Sequence, residues 1–459
     1  MTVGFRSAKY FFKSALIAVV VFGLNAALLS SADVKESPGA YGLDSRLPAK
    51  AYLHLPHHAG GVFPHLLSQT GAFKDTPNLV PEAALIPYDL IVPFWSDGAT
   101  KSRWISVPDG KIHFTPTGEW TFPKGTVFVK TFQLATDETN SNVQRRLETR
   151  LLICDSAGGA YGVTYKWRAD ASDAELLETN LTEKITIKTA IGTRTQRWYY
   201  PSPQDCLVCH TANAGLVLGV KTRQLNRTYT FPSRVTDNEL RVWNHLGLFD
   251  VNLDERSLKT FPKLAPTEDT TRTLEDRARS YLDANCAQCH RPRGTVAYFD
   301  ARYDTPLAEQ NLINGRVLID ERIDNPQIIK PNDVWRSILF MRANSEEAFK
   351  MPPLAHNELD RKSIALLRQW IESMPGPPVV PPPKVFPLGG NFDKPVEVNL
   401  KTEPGAVIRY TLDGTVPTTS DLLYEKPVLL TSPTILRAKA FKPGFTQSIT
   451  VQEIYFIGQ

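Results

Sequence analysis

Two pentapeptides constrain this chain more than any other feature: Cys206-Leu-Val-Cys209-His210 and Cys286-Ala-Gln-Cys289-His290 hold four of its five cysteines. Each is a complete C-x-x-C-H unit. Two thiols three positions apart on a helical turn reach both vinyl groups of one porphyrin, and the adjacent histidine then faces the iron. We therefore read Cys206, Cys209, Cys286 and Cys289 as attachment points for two covalently bound haem c groups, with His210 and His290 as axial iron ligands. The competing readings are a thioredoxin-like redox pair and a four-cysteine zinc site. Zinc would not require a histidine after each second cysteine, and thioredoxin motifs do not come doubled at this spacing. Cys154, the remaining cysteine, lies in a strand-like run and reads as a buried, inert thiol.

The surroundings of the second unit predict a cytochrome c-like module over residues 266–374. Thr273 with Asp276 forms a capping-box pattern, and Leu274, Ala278, Tyr281 and Leu282 share a helical face that leads into Cys286. Met351-Pro352-Pro353 suits a stiff loop that presents a sulfur to the second iron. Asn357 with Asp360 can cap a closing helix whose Ile364, Leu367, Ile371 and Met374 share a face. A smaller first module is expected over residues 201–265. Ser202-Pro203 can start a short helix into Cys206, and Thr236 with Glu239 can cap another that ends near Gly247. No methionine lies between His210 and Met341. The sixth position of the first iron is thus left to His245, which is nearest in sequence, to a histidine upstream, to Met341, or to nothing. His54, His57, His58 and His65 crowd one loop-like segment upstream.

Residues 33–200 hold short β-prone runs separated by Gly, Asp, Asn and Pro clusters, the pattern of an antiparallel β domain. Residues 375–390 are a proline-rich linker, expected to be stiff and extended. Residues 391–459 alternate around Asp413-Gly414 and Pro443-Gly444 turns and predict a small β-sandwich. The expected fold class is multidomain: an N-terminal antiparallel β domain, mainly α cytochrome c-like haem modules, and a C-terminal β-sandwich.

At the N-terminus, Arg6, Lys9 and Lys13 precede an apolar run over residues 15–29 and then Ser30-Ser31-Ala32. This predicts a signal peptide over residues 1–32 and a periplasmic or secreted protein, the alternative being a retained anchor. Without those three cations, Lys plus Arg and Asp plus Glu nearly balance, and haem propionates would make the holoprotein mildly acidic. Nothing in the charge points to a nucleic-acid partner.

Several further motifs accompany the haem units: Pro87-Tyr88-Asp89, Trp95-Ser96-Asp97-Gly98, Lys101, Gly125-Thr126, Glu148-Thr149-Arg150, Asp205 before the first unit, Gln224-Leu225-Asn226, and Asn285 before the second. Together, over residues 60–374, they resemble the secreted dihaem c-type cytochromes of planctomycetes, verrucomicrobia and related bacteria. That resemblance implies an electron acceptor for a periplasmic sugar or quinoprotein dehydrogenase. Separately, residues 408–414, Val416-Pro417-Thr418, Leu423-Tyr424 and residues 436–440 resemble the C-terminal, immunoglobulin-like domain of chitobiases and β-hexosaminidases. This implies an accessory module with a possible link to carbohydrate.

The expectation is an electron carrier rather than an enzyme, passing single electrons from a dehydrogenase to a downstream cytochrome or oxidase. A methionine on the second iron would leave no open site for substrate. The rivals are a dihaem peroxidase-like enzyme with an open first iron, and a carbohydrate-associated binding protein that uses the tail.

Overall fold

The computed structural model describes residues 40–297 and 299–458; the predicted signal peptide, 1–32, lies outside them. Among the described residues no helix is long and apolar enough to cross a membrane.

The central element is a six-stranded antiparallel meander: β1 (Ile86–Tyr88), β2 (Thr100–Ser106), β3 (Val127–Ala135), β4 (Gln144–Cys154), β5 (Ala160–Trp167) and β6 (Ala174–Leu177). Both of its faces are covered. Alternation along β3 sends Val127 and Val129 into one core with Leu151, Ile153, Tyr161, Val163 and Tyr165. Phe128 points the other way, into a second core with Ile105, Trp120, Leu225, Trp243 and Phe249. A hairpin, β7 (Leu181–Thr189) and β8 (Gly192–Tyr200), turns at the exposed Ile191 and delivers the chain to the first cysteine motif.

The second core overturns the expectation of mainly α haem modules. The described chain is mostly β, and the α-helices of residues 201–265 are the short α1 (Pro203–Cys209), α2 (Thr222–Leu225) and α3 (Glu239–His245); Leu225 of α2 and Leu240, Val242 and Trp243 of α3 complete the core of the sheet. Helices of four to seven residues cannot bury a core among themselves, so they pack on the nearest apolar face. The N-cap of α3 is Asn238, not Thr236, which pairs in a short ribbon with Thr230.

Residues 266–374 have a core of their own. In it, α4 (Leu274–Asn285) packs on α6 (Arg361–Glu372) through Ala278, Leu282, Leu367 and Ile371. Thr273 caps α4 by accepting from the Asp276 N–H, as the pattern predicts. Asp360 alone caps α6, whereas Asn357 hydrogen-bonds Asp97. Between these helices, among the described residues, α5 (Ile338–Ala343) and two 3-10 turns (Leu307–Glu309, Val334–Arg336) lie among loops. Prolines at 292, 306, 326, 331, 352 and 353 break the segment before any longer helix can propagate.

The tail begins earlier than expected. Lys384–Phe386 pairs with Val396–Lys401, which pairs in turn with Val428–Leu430; a five-stranded sheet runs from Gly390–Phe392 through Val451–Ile457, Thr434–Phe441 and Val407–Thr411 to Leu422–Leu423. The proline-rich stretch does not hold this sandwich away from the rest. Val380 is fully buried, and Arg336 donates to the carbonyls of Gln447 and Ser448 while pairing with Asp324, which Lys439 of the tail also reaches at 3.2 Å.

Candidate functional site

Ser202 and Asp205 cap α1 reciprocally: Asp205 N–H donates to Ser202 Oγ, and Asp205 Oδ2 accepts from Ser202 N–H at 2.8 Å. Pro203 stands at the first helical position, where its missing N–H has no cost. The helix then lies flat on β5 at Gly162, where a Cβ would sit 2.8 Å from Cys206 Sγ and 2.9 Å from Cys206 Cβ. A glycine in mid-strand here marks close approach of a second backbone.

His210 closes α1. Its Nδ1 donates to the Leu216 carbonyl at 2.6 Å, which fixes the tautomer and leaves Nε2 with a free lone pair. Burial pushes its pKa down to about 4, so the ring is neutral, as a metal-ligating imidazole must be. Cys206, Cys209 and His210 line a cavity of about 190 Å³ whose apolar wall includes Tyr88, Leu90, Phe128, Leu152 and Val217. A close-packed interior tolerates few voids larger than one water, which makes this space a candidate site.

Sequence reasoning missed the charge on the cavity's sheet side. Strand alternation places Lys101, Arg103, Lys130 and Arg150 on the face opposite Trp104, Val129 and Leu151, and all four line the cavity. Arg103 stands directly across from Lys130, and Lys130 across from Arg150. Like charges facing one another on adjacent strands are unfavourable. Arg103 pairs with Asp89, and Arg150 is bidentate on Glu148. Lys101 donates to the Phe94 carbonyl at 2.8 Å. Neither Lys101 nor Lys130 has a carboxylate within ion-pair distance among the described residues, and both stand over the Phe132 ring. Burial, then Arg150 and Arg103, push the pKa of Lys130 down to about 7. The legible signal was a cation inside an otherwise apolar strand, as in Val127-Phe-Val-Lys130-Thr-Phe132.

The second motif meets the first. The Cys209 and Cys289 thiols are neighbours, and their mutual influence pushes Cys209 up and pulls Cys289 down. Around them, Arg291 donates to the Asn213 carbonyl at 3.1 Å, and Asn213 Nδ2 donates to the Pro292 carbonyl at 3.2 Å. Arg291 also pairs with Glu119 of the β region at 2.9 Å. Behind the motifs, Asp283 of α4 takes Arg223 at 2.8 Å and Lys221 at 3.2 Å.

His290 stacks on Phe299 with ring centroids 4.2 Å apart, and its buried Nδ1 has no partner. Burial, with the Arg342 charge added, pushes its pKa down to about 4. The Arg342 carbonyl accepts the Met351 N–H at 3.0 Å, so the methionine loop is tied to the same arginine that acts on His290. Sequence reasoning also passed over His356. It is 4% exposed; its Nδ1 bonds the Met351 carbonyl at 2.8 Å, and its Nε2 is buried without a partner. Leu354 and Ala355, just before it, are part of the cavity wall.

His245 is not brought to the site. It is exposed, stacked on Tyr41 at 3.6 Å, with Nε2 bonded to the Asp44 carbonyl. His54, His57, His58 and His65 are exposed too. Met341 packs against the core of the 266–374 region. Cys154 is buried, and burial pushes its pKa up to about 12, the state of an inert thiol. No group of three or more His, Cys, Asp or Glu side chains among the described residues could hold a bare metal ion.

Residues 387–452 match the family model of the chitobiase/beta-hexosaminidase C-terminal domain. No curated protein matches the chain.

Proposed function

We propose that the chain is an exported dihaem c-type cytochrome that relays single electrons between redox partners. Each bound haem would supply one-electron chemistry at its iron. Cys206 and Cys209 would hold one group and Cys286 and Cys289 the other, with His210 and His290 as ligands. The donor set at the first motif suits such a group: two thiols and a neutral imidazole with a free Nε2 converge on an apolar cavity.

The observation that carries the relay reading is that Cys209 and Cys289 are neighbours. Two groups attached at neighbouring thiols would stand close together, which suits passage of an electron between them more than two separate reactions. The interlocked Asn213, Arg291 and Pro292 hold the two attachment turns in register. We read Met351 as the remaining ligand of the second iron and His356, in place of His245, as that of the first. A buried imidazole whose Nδ1 is held by a carbonyl has its Nε2 free for iron. With both irons closed, the peroxidase alternative lacks an open position. The donor in this proposal is a periplasmic dehydrogenase and the acceptor a downstream cytochrome or oxidase; the tail would serve docking, on a partner or on carbohydrate.

The test is mass spectrometry and low-temperature EPR of protein made in a host that matures c-type cytochromes. Two covalent haems are expected in the wild type, one each in Cys206→Ala and Cys286→Ala, and two low-spin signals. His356→Ala should turn the first iron high-spin and leave the methionine–iron absorbance of the second. A wild type without haem, or one with a high-spin iron and fast peroxide turnover, defeats the relay.

A further inference from the structure

The cation row on the sheet has fewer carboxylates than cations. Across β2, β3 and β4 stand Arg103, Lys130 and Arg150, with Lys101 two residues before Arg103 on the same face. The carboxylates within ion-pair distance are spoken for. Asp89 is shared by Arg103 and Arg227, and Glu148 is bidentate on Arg150. Of the other cavity acids, Asp205 is held by Ser202 and Tyr199, Glu119 by Lys221 and Arg291, and Asp283 by Lys221 and Arg223. Two amines, Lys101 and Lys130, are left over in an apolar cavity with no carboxylate beside them, among the described residues, to favour their charged form. The Phe132 ring is shared by Lys101, Lys130 and Arg150, which offsets only a small part of the repulsion and desolvation.

An arrangement of this kind is stable when an anion with two negative charges completes it. The cavity that needs those two charges is the one into which Cys206, Cys209 and His210 converge. We propose that Lys101 and Lys130, supported by Arg103 and Arg150, are the binding site for the two propionate carboxylates of the haem attached at the first motif. This rests on the cytochrome reading and adds to it an orientation: the propionate edge lies against β2–β4, and the thioether edge lies toward α1. The row would also set a property of that haem. A positive charge beside a propionate favours the reduced state of the iron, so the sheet would raise the first potential.

The experiment is a potentiometric titration of the holoprotein and its Lys130→Met, Lys130→Arg and Lys101→Met variants, with haem content read by mass spectrometry. Lys130→Met is expected to keep two haems and to lower the first potential by about tenfold in its reduction equilibrium, about 59 mV for a one-electron couple. The second potential should stay in place, and Lys130→Arg should restore the first. Should Lys130→Met fail to fold, Lys101→Met reads the same site from the neighbouring strand. A variant with two haems and unmoved potentials would overturn the propionate site while leaving the cytochrome reading intact; a wild type without haem would overturn both. Inorganic phosphate is the remaining arm. If wild-type potentials shift on its addition, the row is open to a soluble anion and does not hold the propionates.

Discussion

Arg223→Met tests whether the two motif regions are joined by a buried charge. Arg223 is 1% exposed, and its Nε and Nη2 bond Asp283 at 3.1 and 2.8 Å while Nη1 reaches Asp304. Methionine keeps the apolar stem of the side chain, so the packing change is small. What disappears is the cation facing Asp283, whose side chain has no exposed surface. Removing one partner of a buried pair costs about 3–5 kcal/mol, because the other charge stays behind uncompensated. Here Lys221 remains 3.2 Å from Asp283, and Asp304 is 23% exposed and can be rehydrated. The loss should therefore fall at the low end, about 3 kcal/mol. Urea unfolding followed by far-ultraviolet circular dichroism would show a lower midpoint at unchanged slope. Asp283→Asn removes the stranded charge, so the double variant should be more stable than the sum of the single losses implies. A loss under about 1 kcal/mol, the level of exposed ion pairs, or strict additivity would refute the clamp.

Gly162→Val should lift α1 from β5, cost about 1–3 kcal/mol by overpacking, and reduce haem attachment at Cys206 and Cys209 while the second motif stays loaded; full occupancy by mass spectrometry at unchanged stability would dispose of the close approach. Acid stability should depend on Asp283. Burial pushes its carboxyl up, but Lys221 and Arg223 outweigh this and hold it well below the usual carboxylate range. A group depressed in the folded state contributes stability that is present above its unfolded value of about 3.9 and lost as pH falls below it. The urea midpoint of Asp283→Asn should then fall less steeply below about pH 4 than that of the wild type, and parallel curves would count against the assignment.

The pairing of two thiols with an imidazole was legible because C-x-x-C-H is a local pattern: its side chains are set by one helical turn, whatever packs around them. The caps at Ser202 and Thr273 were legible for the same reason, as was the tail, whose strands alternate around Gly turns. The first module was not. Residues 201–265 carry short helical patterns, and only the apolar face offered by Ile105, Phe128 and Trp120 decides that they finish the core of a sheet and form no module of their own. Caps assigned to Thr236 and Asn357 failed because ribbon pairing and Asp97 took those residues first.

The choice of His245 failed on the same ground: nearness in sequence placed it by the first motif, and the turn of α3 carried it to the surface beside Tyr41. His356 lies 146 positions from His210, yet its loop walls the same cavity, a closeness that no periodicity records. Sequence by itself determined which thiols and imidazoles are grouped, since that depends on side-chain type and local spacing. Tertiary structure decided that the two motif regions meet, with Arg291 on the Asn213 carbonyl and Cys209 near Cys289, and that four cations from three strands line up beside one of them. Those outcomes depend on strand register and on contacts between residues about 80 positions apart, which arise only when separate segments bury a common face.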